Sequence, residues 1–306
     1  MKPTLSQLIR PYRSISIIGM CKNAGKTTVL NQIIKEVNGS GRVLALTSIG
    51  RDGEDKDLVT GTKKPGIYVE EGTLVATASD LILRHCDVTR EIIDTTGIST
   101  PMGDVVMIDG ALSRKTLCSR RVTEATILCT GASYNKNIDT VIEDTAYNCQ
   151  ILTLPETEDD EIRMAVEGDE DFRGTIIFGE QGPWTIPTGM SVEDALRKDE
   201  AKGARAIFFG GAMSDFLMKP LLMSNAPLKG LTFVVRDSSK ILMKRDNFEK
   251  IARRGVNLQV LDTVNLVAVT VNPFSAYGFH FSKEELMSRM EARVGLPVIN
   301  VMEDAT

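Results

Sequence analysis

Short apolar runs separated by polar, glycine-rich connections alternate along this chain with stretches whose apolar residues recur at three- and four-residue spacing. Ser14-Ile15-Ser16-Ile17-Ile18 is apolar and β-branched and runs straight into Gly19, which predicts a buried parallel strand ending in a tight turn. Residues Thr28–Val37 then carry apolar side chains at helical spacing, and Asn38-Gly39-Ser40-Gly41 stops them. A second apolar run, Val43–Ile49, completes a βαβ order and empties into the polar segment Gly50–Asp57. Gly66–Glu70 and Thr73–Thr77, on either side of Glu71-Gly72, predict a small hairpin or two short strands. Ser79–Cys86 and Thr89–Thr95 predict short helices, and Asp104–Gly110 and Ala125–Gly131 predict two more buried strands.

The pattern changes at Pro155–Asp171, where nine acids crowd together (Glu156, Glu158, Asp159, Asp160, Glu161, Glu167, Asp169, Glu170 and Asp171). Such a stretch predicts a solvated linker or an exposed helix, and so two domains, 1–155 and 172–306, joined by an acidic linker at 156–171. Beyond it the α/β alternation resumes. Strands are predicted at 175–178, 204–209, 231–236, 258–261, 266–271 and 298–301, with helices at 191–202, 213–223, 240–254 and 282–294. The fold class expected is therefore α/β, with a parallel sheet flanked by helices and a second, smaller α/β domain.

Composition narrows the partners. With 306 residues, 42% of them hydrophobic, the chain is long enough to bury a sizeable core. A net charge of −5 and a pI near 5.3 argue against a general nucleic-acid binder and favour small molecules or protein partners. No apolar run approaches the roughly 20 residues that span a bilayer, and Met1–Arg13 lacks the continuous apolar segment of a secretory signal. Five cysteines with no CxxC pair suit reduced thiols in a cytoplasm, and His85 and His280 lie too far apart in sequence to suggest a zinc site.

The chemistry concentrates at the first turn. Gly19-Met20-Cys21-Lys22-Asn23-Ala24-Gly25-Lys26-Thr27-Thr28 fits the Walker A pattern, and it stands between a predicted strand and a predicted helix, as a phosphate-gripping loop must. Glycines let successive N–H groups face phosphate oxygens, and the helix adds its positive end. Gly19, Asn23, Ala24, Gly25, Lys26, Thr27 and Thr28 are the expected nucleotide contacts. Lys26 would bridge phosphate oxygens, and Thr27 would hold Mg²⁺ through its hydroxyl. The alternative is a packing turn with a solvated lysine, which Lys26 and Thr27 directly after the second glycine disfavour. Lys22 is mid-loop, not beside the first glycine where deviant Walker A loops place a lysine, and is either filler or an auxiliary contact. Cys21 is a small loop residue or, less in keeping with its surroundings, a redox switch whose thiol the helix terminus activates.

Asp109 closes the strand Val105-Val106-Met107-Ile108, the Walker B arrangement that sets a carboxylate beside the phosphate loop for Mg²⁺; capping the next helix at Gly110-Ala111 is the alternative role. Asp52 and Glu54 follow the second strand, where a switch segment could orient water, or they belong to a solvated acidic turn with Asp55 and Asp57. Asn135-Lys136-Asn137-Ile138-Asp139 approximates the guanine-reading Asn-Lys-x-Asp motif, but its aspartate falls one residue late. ATP is the default nucleotide because it is abundant. The aromatic stretch Phe274–Phe281 after Asn272-Pro273 either packs at a domain junction or lines a ligand or partner surface.

Ile18–Thr28, Gly66-Ile67-Tyr68-Val69-Glu70-Glu71-Gly72-Thr73, Thr100-Pro101-Met102-Gly103 and Ile108-Asp109-Gly110-Ala111-Leu112-Ser113-Arg114-Lys115 together resemble a clostridial-type family, the P-loop reactivase subunit of adenosylcobalamin-dependent lysine 5,6-aminomutase, met in amino-acid (lysine) fermentation. The resemblance covers the first half and is fainter beyond; only its Walker A is specific in itself. It implies a P-loop NTPase fold, Mg-ATP as ligand, and a partner that is the aminomutase or a second reactivase subunit. The chain departs from that family where Gly103 leads almost directly into Val105–Asp109, since a longer segment is expected there. The Asp-x-His-x-x-Gly pattern of base-off cobalamin binding is absent. Three functions stay open: an ATPase that switches a partner, a small-molecule phosphoryl-transfer enzyme resembling dethiobiotin synthetase, and a nucleotide-dependent adaptor without useful turnover.

Overall fold

The computed structural model describes residues 3–48, 74–77, 104–111, 118–120, 122–169 and 171–302, with the side chains of 38, 47, 48, 74–77 and 109–111 outside that description. The chain opens with α1 (Leu5–Ile9), β1 (Ser14–Gly19), α2 (Lys26–Asn38), β2 (Leu44–Ser48), β3 (Leu74–Thr77), β4 (Val105–Ala111), β5 (Ala125–Gly131) and α3 (Ile138–Leu152). It continues through α4 (Asp160–Val166), β6 (Thr175–Gly179), β7 (Gly182–Thr185), α5 (Val192–Ala195), β8 (Ala206–Phe209), β9 (Met213–Ser214), α6 (Asp215–Met223), β10 (Thr232–Asp237), β11 (Ile241–Leu242), α7 (Arg245–Arg253) and β12 (Asn257–Asp262). The chain ends with β13 (Leu266–Asn272), α8 (Lys283–Val294) and β14 (Val298–Asn300).

Two compact units result, but not at the expected boundary: one is 1–150 with 265–306, the other 151–264. The reason is strand pairing. The last strands return to the first sheet, β13 lying in parallel register on β5 with Val269 opposite Leu128 and Asn272 opposite Gly131. The larger unit is thus an α/β layer whose described strands run β14-β13-β5-β1-β4-β2-β3, all their pairings parallel. Its central strands are apolar on both faces, as parallel strands between helices must be: every residue of β5 is buried. Ile15 and Ile17 of β1 pack with Leu5 and Ile9 of α1 and with Val29, Leu30 and Ile33 of α2. Each fully buried isoleucine contributes about 1.5–3 kcal/mol. On the opposite face of β5, Thr130 Oγ1 lies 3.0 Å from Thr145 Oγ1 of α3. Of the run predicted at 73–77, Leu74–Thr77 is a strand of this sheet, β3 pairing in parallel with β2. Residues 66–70 and the predicted helices at 79–86 and 89–95 lie outside the described residues.

The smaller unit holds a sheet of order β12-β10-β8-β6-β7, with β12, β10 and β8 parallel and β6 antiparallel to both its neighbours. The expected acidic linker belongs to this unit. Asp159 caps α4 by accepting from the N–H groups of Glu161 and Ile162, and the helix buries Ile162 and Val166 among Ile176, Phe178, Phe208 and Val234. The acids sit on its outer turns, where Arg205 bridges Asp159 and Glu161. The helix predicted at 191–202 shrinks to α5 and one 3₁₀ turn at Asp199–Ala201, because Arg197-Lys198-Asp199-Glu200 offers no apolar stripe to bury. The helix predicted from 240 begins at Arg245 instead, since Ile241-Leu242 pairs with Met213-Ser214. Among the described residues no helix is long and apolar enough to cross a membrane.

Candidate functional site

β1 delivers Gly19 to the carboxyl edge of the larger sheet, and the chain turns there into α2 through six residues. Met20 N–H donates to Cys129 O at 2.9 Å, holding the loop's first residue against β5. The turn then requires two left-handed residues, Asn23 at φ 61° and Gly25 at φ 94°. Asparagine tolerates that conformation better than other side chains, and glycine adopts it freely. At Gly25 a Cβ would also lie 3.2 Å from Val301 Cγ2. Lys26 opens α2 and folds back over the strand end: a Cβ added at Gly19 would stand 3.0 Å from its Cδ and 3.2 Å from its Nζ.

Gly25, as the N-cap of α2, makes no side-chain cap, and the first turn carries no acid. The first-turn N–H groups of a helix have no intrahelical acceptor, so this end offers unspent donors, the positive end of the helix dipole and the Lys26 ammonium together. Such a concentration of donors and positive charge attracts an anion. Thr27 and Thr28 are half-buried in that first turn, Ala24 is buried, and Lys22 is exposed. Cys21 is not an activated thiol. Burial pushes it up to about 11, and the neighbouring Lys26 charge offsets only part of that, so the thiol stays protonated at neutral pH.

β4 lies directly beside β1, and Asp109 stands near its carboxyl end, in register with Ile17 on one side and Ser48 of β2 on the other. The backbone of Asp109 is thus on the strand next to the loop-bearing strand, two residues before the Gly19–Ala111 pairing. Its side chain, and the whole of Asp52 and Glu54, lie outside the described residues. Among the described residues no group of three or more His, Cys, Asp or Glu could hold a metal ion.

The chain matches no protein-family model and no curated protein.

Tertiary structure brings residues to the loop that sequence reading did not assign to it. Asn272, at the end of β13, donates through Nδ2 to Asn23 O at 3.4 Å, accepts from Phe274 N–H at 3.0 Å, and sets its Cβ against Gly25. Its own carbonyl accepts from Ala132 N–H at 2.9 Å, and Ala276 N–H donates to Ser133 Oγ at 3.0 Å, so the loops after β5 and β13 are tied together. The aromatic stretch therefore continues the segment braced against the glycine loop, with Phe274 and Tyr277 43% and 58% exposed. The only hint in sequence was Asn272-Pro273 at the end of an apolar run. Thr145 Oγ1 donates to Val141 O at 2.6 Å and lies 3.1 Å from Met20 Sδ, placing α3 behind the loop.

The Asn135–Asp139 pentapeptide has a structural role. Asn137 Oδ1 accepts from Asp139 N–H at 2.8 Å at the start of α3, and Asp139 itself pairs with Arg289 of α8. Its polar residues start a helix and fasten it to a neighbour.

Proposed function

We infer that this chain is a P-loop ATPase that binds Mg-ATP at Gly19–Thr28 and uses it to drive conformational change or cofactor exchange in a partner enzyme. The observation that carries the nucleotide half of this reading is the Gly19–Lys26 turn: a lysine folded over the end of a parallel strand, at an uncapped helix start reached through left-handed Asn23 and Gly25. The partner half rests on the quoted resemblance, which points to a cobalamin-dependent aminomutase or its second reactivase subunit. Cys21, Cys118, Cys129 and Cys149 are in no disulfide, which suits the cytoplasmic setting that this reading requires.

In this reading the N–H groups of Asn23 through Thr28 bind the phosphates, and Lys26 holds the γ-phosphoryl group as charge builds on it. Thr27, in the first turn of α2, and Asp109, on the adjacent strand, are the residues that would hold Mg²⁺. The ion, when bound, neutralises the charge of the phosphates. Asp52 or Glu54 orients the attacking water.

A fluorescent ATP analogue titrated with Mg²⁺ tests the central claim. Lys26→Ala is expected to weaken binding at least about tenfold, the loss of a charged phosphate contact. Unchanged affinity in that variant would sink the reading. Turnover then separates the alternatives. Hydrolysis accelerated by a partner supports the ATPase, ADP release that requires a metabolite supports a phosphoryl-transfer enzyme, and tight binding with negligible turnover supports an adaptor.

A further inference from the structure

The smaller unit has a polar feature that the nucleotide reading does not use. β10, the middle strand of its parallel trio, ends in Arg236-Asp237 and continues as Ser238-Ser239-Lys240. Arg236 is 8% exposed and Ser238 2%, which is unusual for an arginine at a strand end. Arg236 lies on the same face of β10 as Val234, which packs among Ile162, Phe178 and Phe208. Its Nη2 donates at 2.8 Å to a neutral acceptor, the carbonyl of Asp169. Its Nε has no partner, and neither does Ser238 Oγ or Ser239 Oγ.

Asp237 does not neutralise the arginine, since its Oδ1 accepts from Ser239 N–H at 2.8 Å and no ion pair joins it to Arg236 among the described residues. Asp262, opposite Asp237 in the β10–β12 register, is the other carboxylate at this strand end. A buried guanidinium without a carboxylate is costly, and buried polar groups in folded proteins are almost always paired. Here three unmet groups fall within four consecutive residues. All can donate, and one is cationic. They stand at the carboxyl end of a parallel strand, where α/β sheets bind ligands.

We propose that Arg236, Ser238 and Ser239 form an oxyanion site in the smaller unit, taking the phosphate or carboxylate group of a small metabolite. The proposal is independent of the nucleotide reading. Phosphate and carboxylate share the chemistry the site recognises, planar or tetrahedral oxygens that accept from a guanidinium and two hydroxyls.

The test uses the full chain carrying Lys26→Ala, so that the Gly19–Thr28 loop does not dominate, titrated with inorganic phosphate and, separately, acetate by isothermal calorimetry. Saturable millimolar binding of one or both is expected, and the two arms identify the oxyanion. Ser238→Ala should weaken it tenfold or more and Arg236→Gln should abolish it, with folding of each variant checked by circular dichroism. Should Arg236→Gln fail to fold, Ser238→Ala and Ser239→Ala decide the matter. No saturable binding, or binding indifferent to Ser238→Ala, overturns the proposal. So does a crystal structure grown in phosphate in which Arg236 Nε and Ser238 Oγ meet water alone.

Discussion

Two residues of the larger unit show how closely its loops are fitted. Gly131 ends β5 opposite Asn272, and a Cβ there would fall 2.1 Å from Asn272 O and 2.9 Å from Asn272 N, all backbone atoms that cannot rotate away. Gly131→Ala is therefore expected to destabilise the chain by about 3 kcal/mol or more, a large-tail effect for one methyl group, measurable as a lowered urea midpoint. Cys21 makes the opposite point, since its environment suppresses a chemistry its position suggested. Its thiol is raised from 9.0 to about 11, so at a given pH below both values it carries roughly a hundredfold less thiolate than an ordinary cysteine. The neutral form is the one the fold prefers. Any stability this contributes is fully present below the ordinary thiol value and is lost as pH rises through the folded one. Iodoacetamide labelling of Cys21, followed by peptide mass spectrometry, should be slow at neutral pH and climb between 9.0 and about 11. Rapid labelling at neutral pH would restore the redox-switch reading.

Among the elements, α3 carries a helical periodicity that the sequence reading above does not assign. Val141, Ile142, Thr145, Ala146 and Cys149 are all buried and recur at helical spacing. Asn137 marks its start, accepting from Asp139 N–H. Asn137→Ala removes the side-chain acceptor for Asp139 N–H and is expected to cost about 1 kcal/mol in urea unfolding. Arg293, by contrast, pairs with Glu143 through two 2.9 Å hydrogen bonds, yet both side chains are about half exposed (53% and 40%). Arg293→Ala should cost well under about 1 kcal/mol. If the second variant proved the more damaging, the ranking of cap over surface pair would be wrong. Elsewhere the acidic run at 156–171 shows that charge density alone does not make a linker, because Ile162 and Val166 suffice to dock α4.

At the level of the whole molecule, the smaller unit interrupts the larger in sequence. The chain leaves the first sheet after β5 and α3 and returns as β13, the direct neighbour of β5. Ending the chain at Val264 would remove β13, α8 and β14, strip the cover from one side of β5 and delete Asn272 from behind Asn23. That truncation is expected to abolish nucleotide-analogue binding and the cooperative unfolding of the larger unit, seen by fluorescence titration and circular dichroism. The boundary expected from composition would instead leave residues 1–155 intact. A truncated chain that still bound the analogue at full affinity would favour it.

What the sequence by itself determined was local. Strand β1, the glycine turn, helix α2, the strand carrying Asp109 and the α/β class follow from short-range patterns, because apolar periodicity and glycine placement act within a turn or a strand. What only the tertiary structure decided was long-range: that residues 265–306 complete the first sheet, that Asn272 braces a loop 249 residues away, and that Arg236 Nε and Ser238 Oγ are buried without hydrogen-bond partners. Parallel pairing joins strands that are remote in sequence, and nothing in a strand's own composition names the neighbour that will cover it.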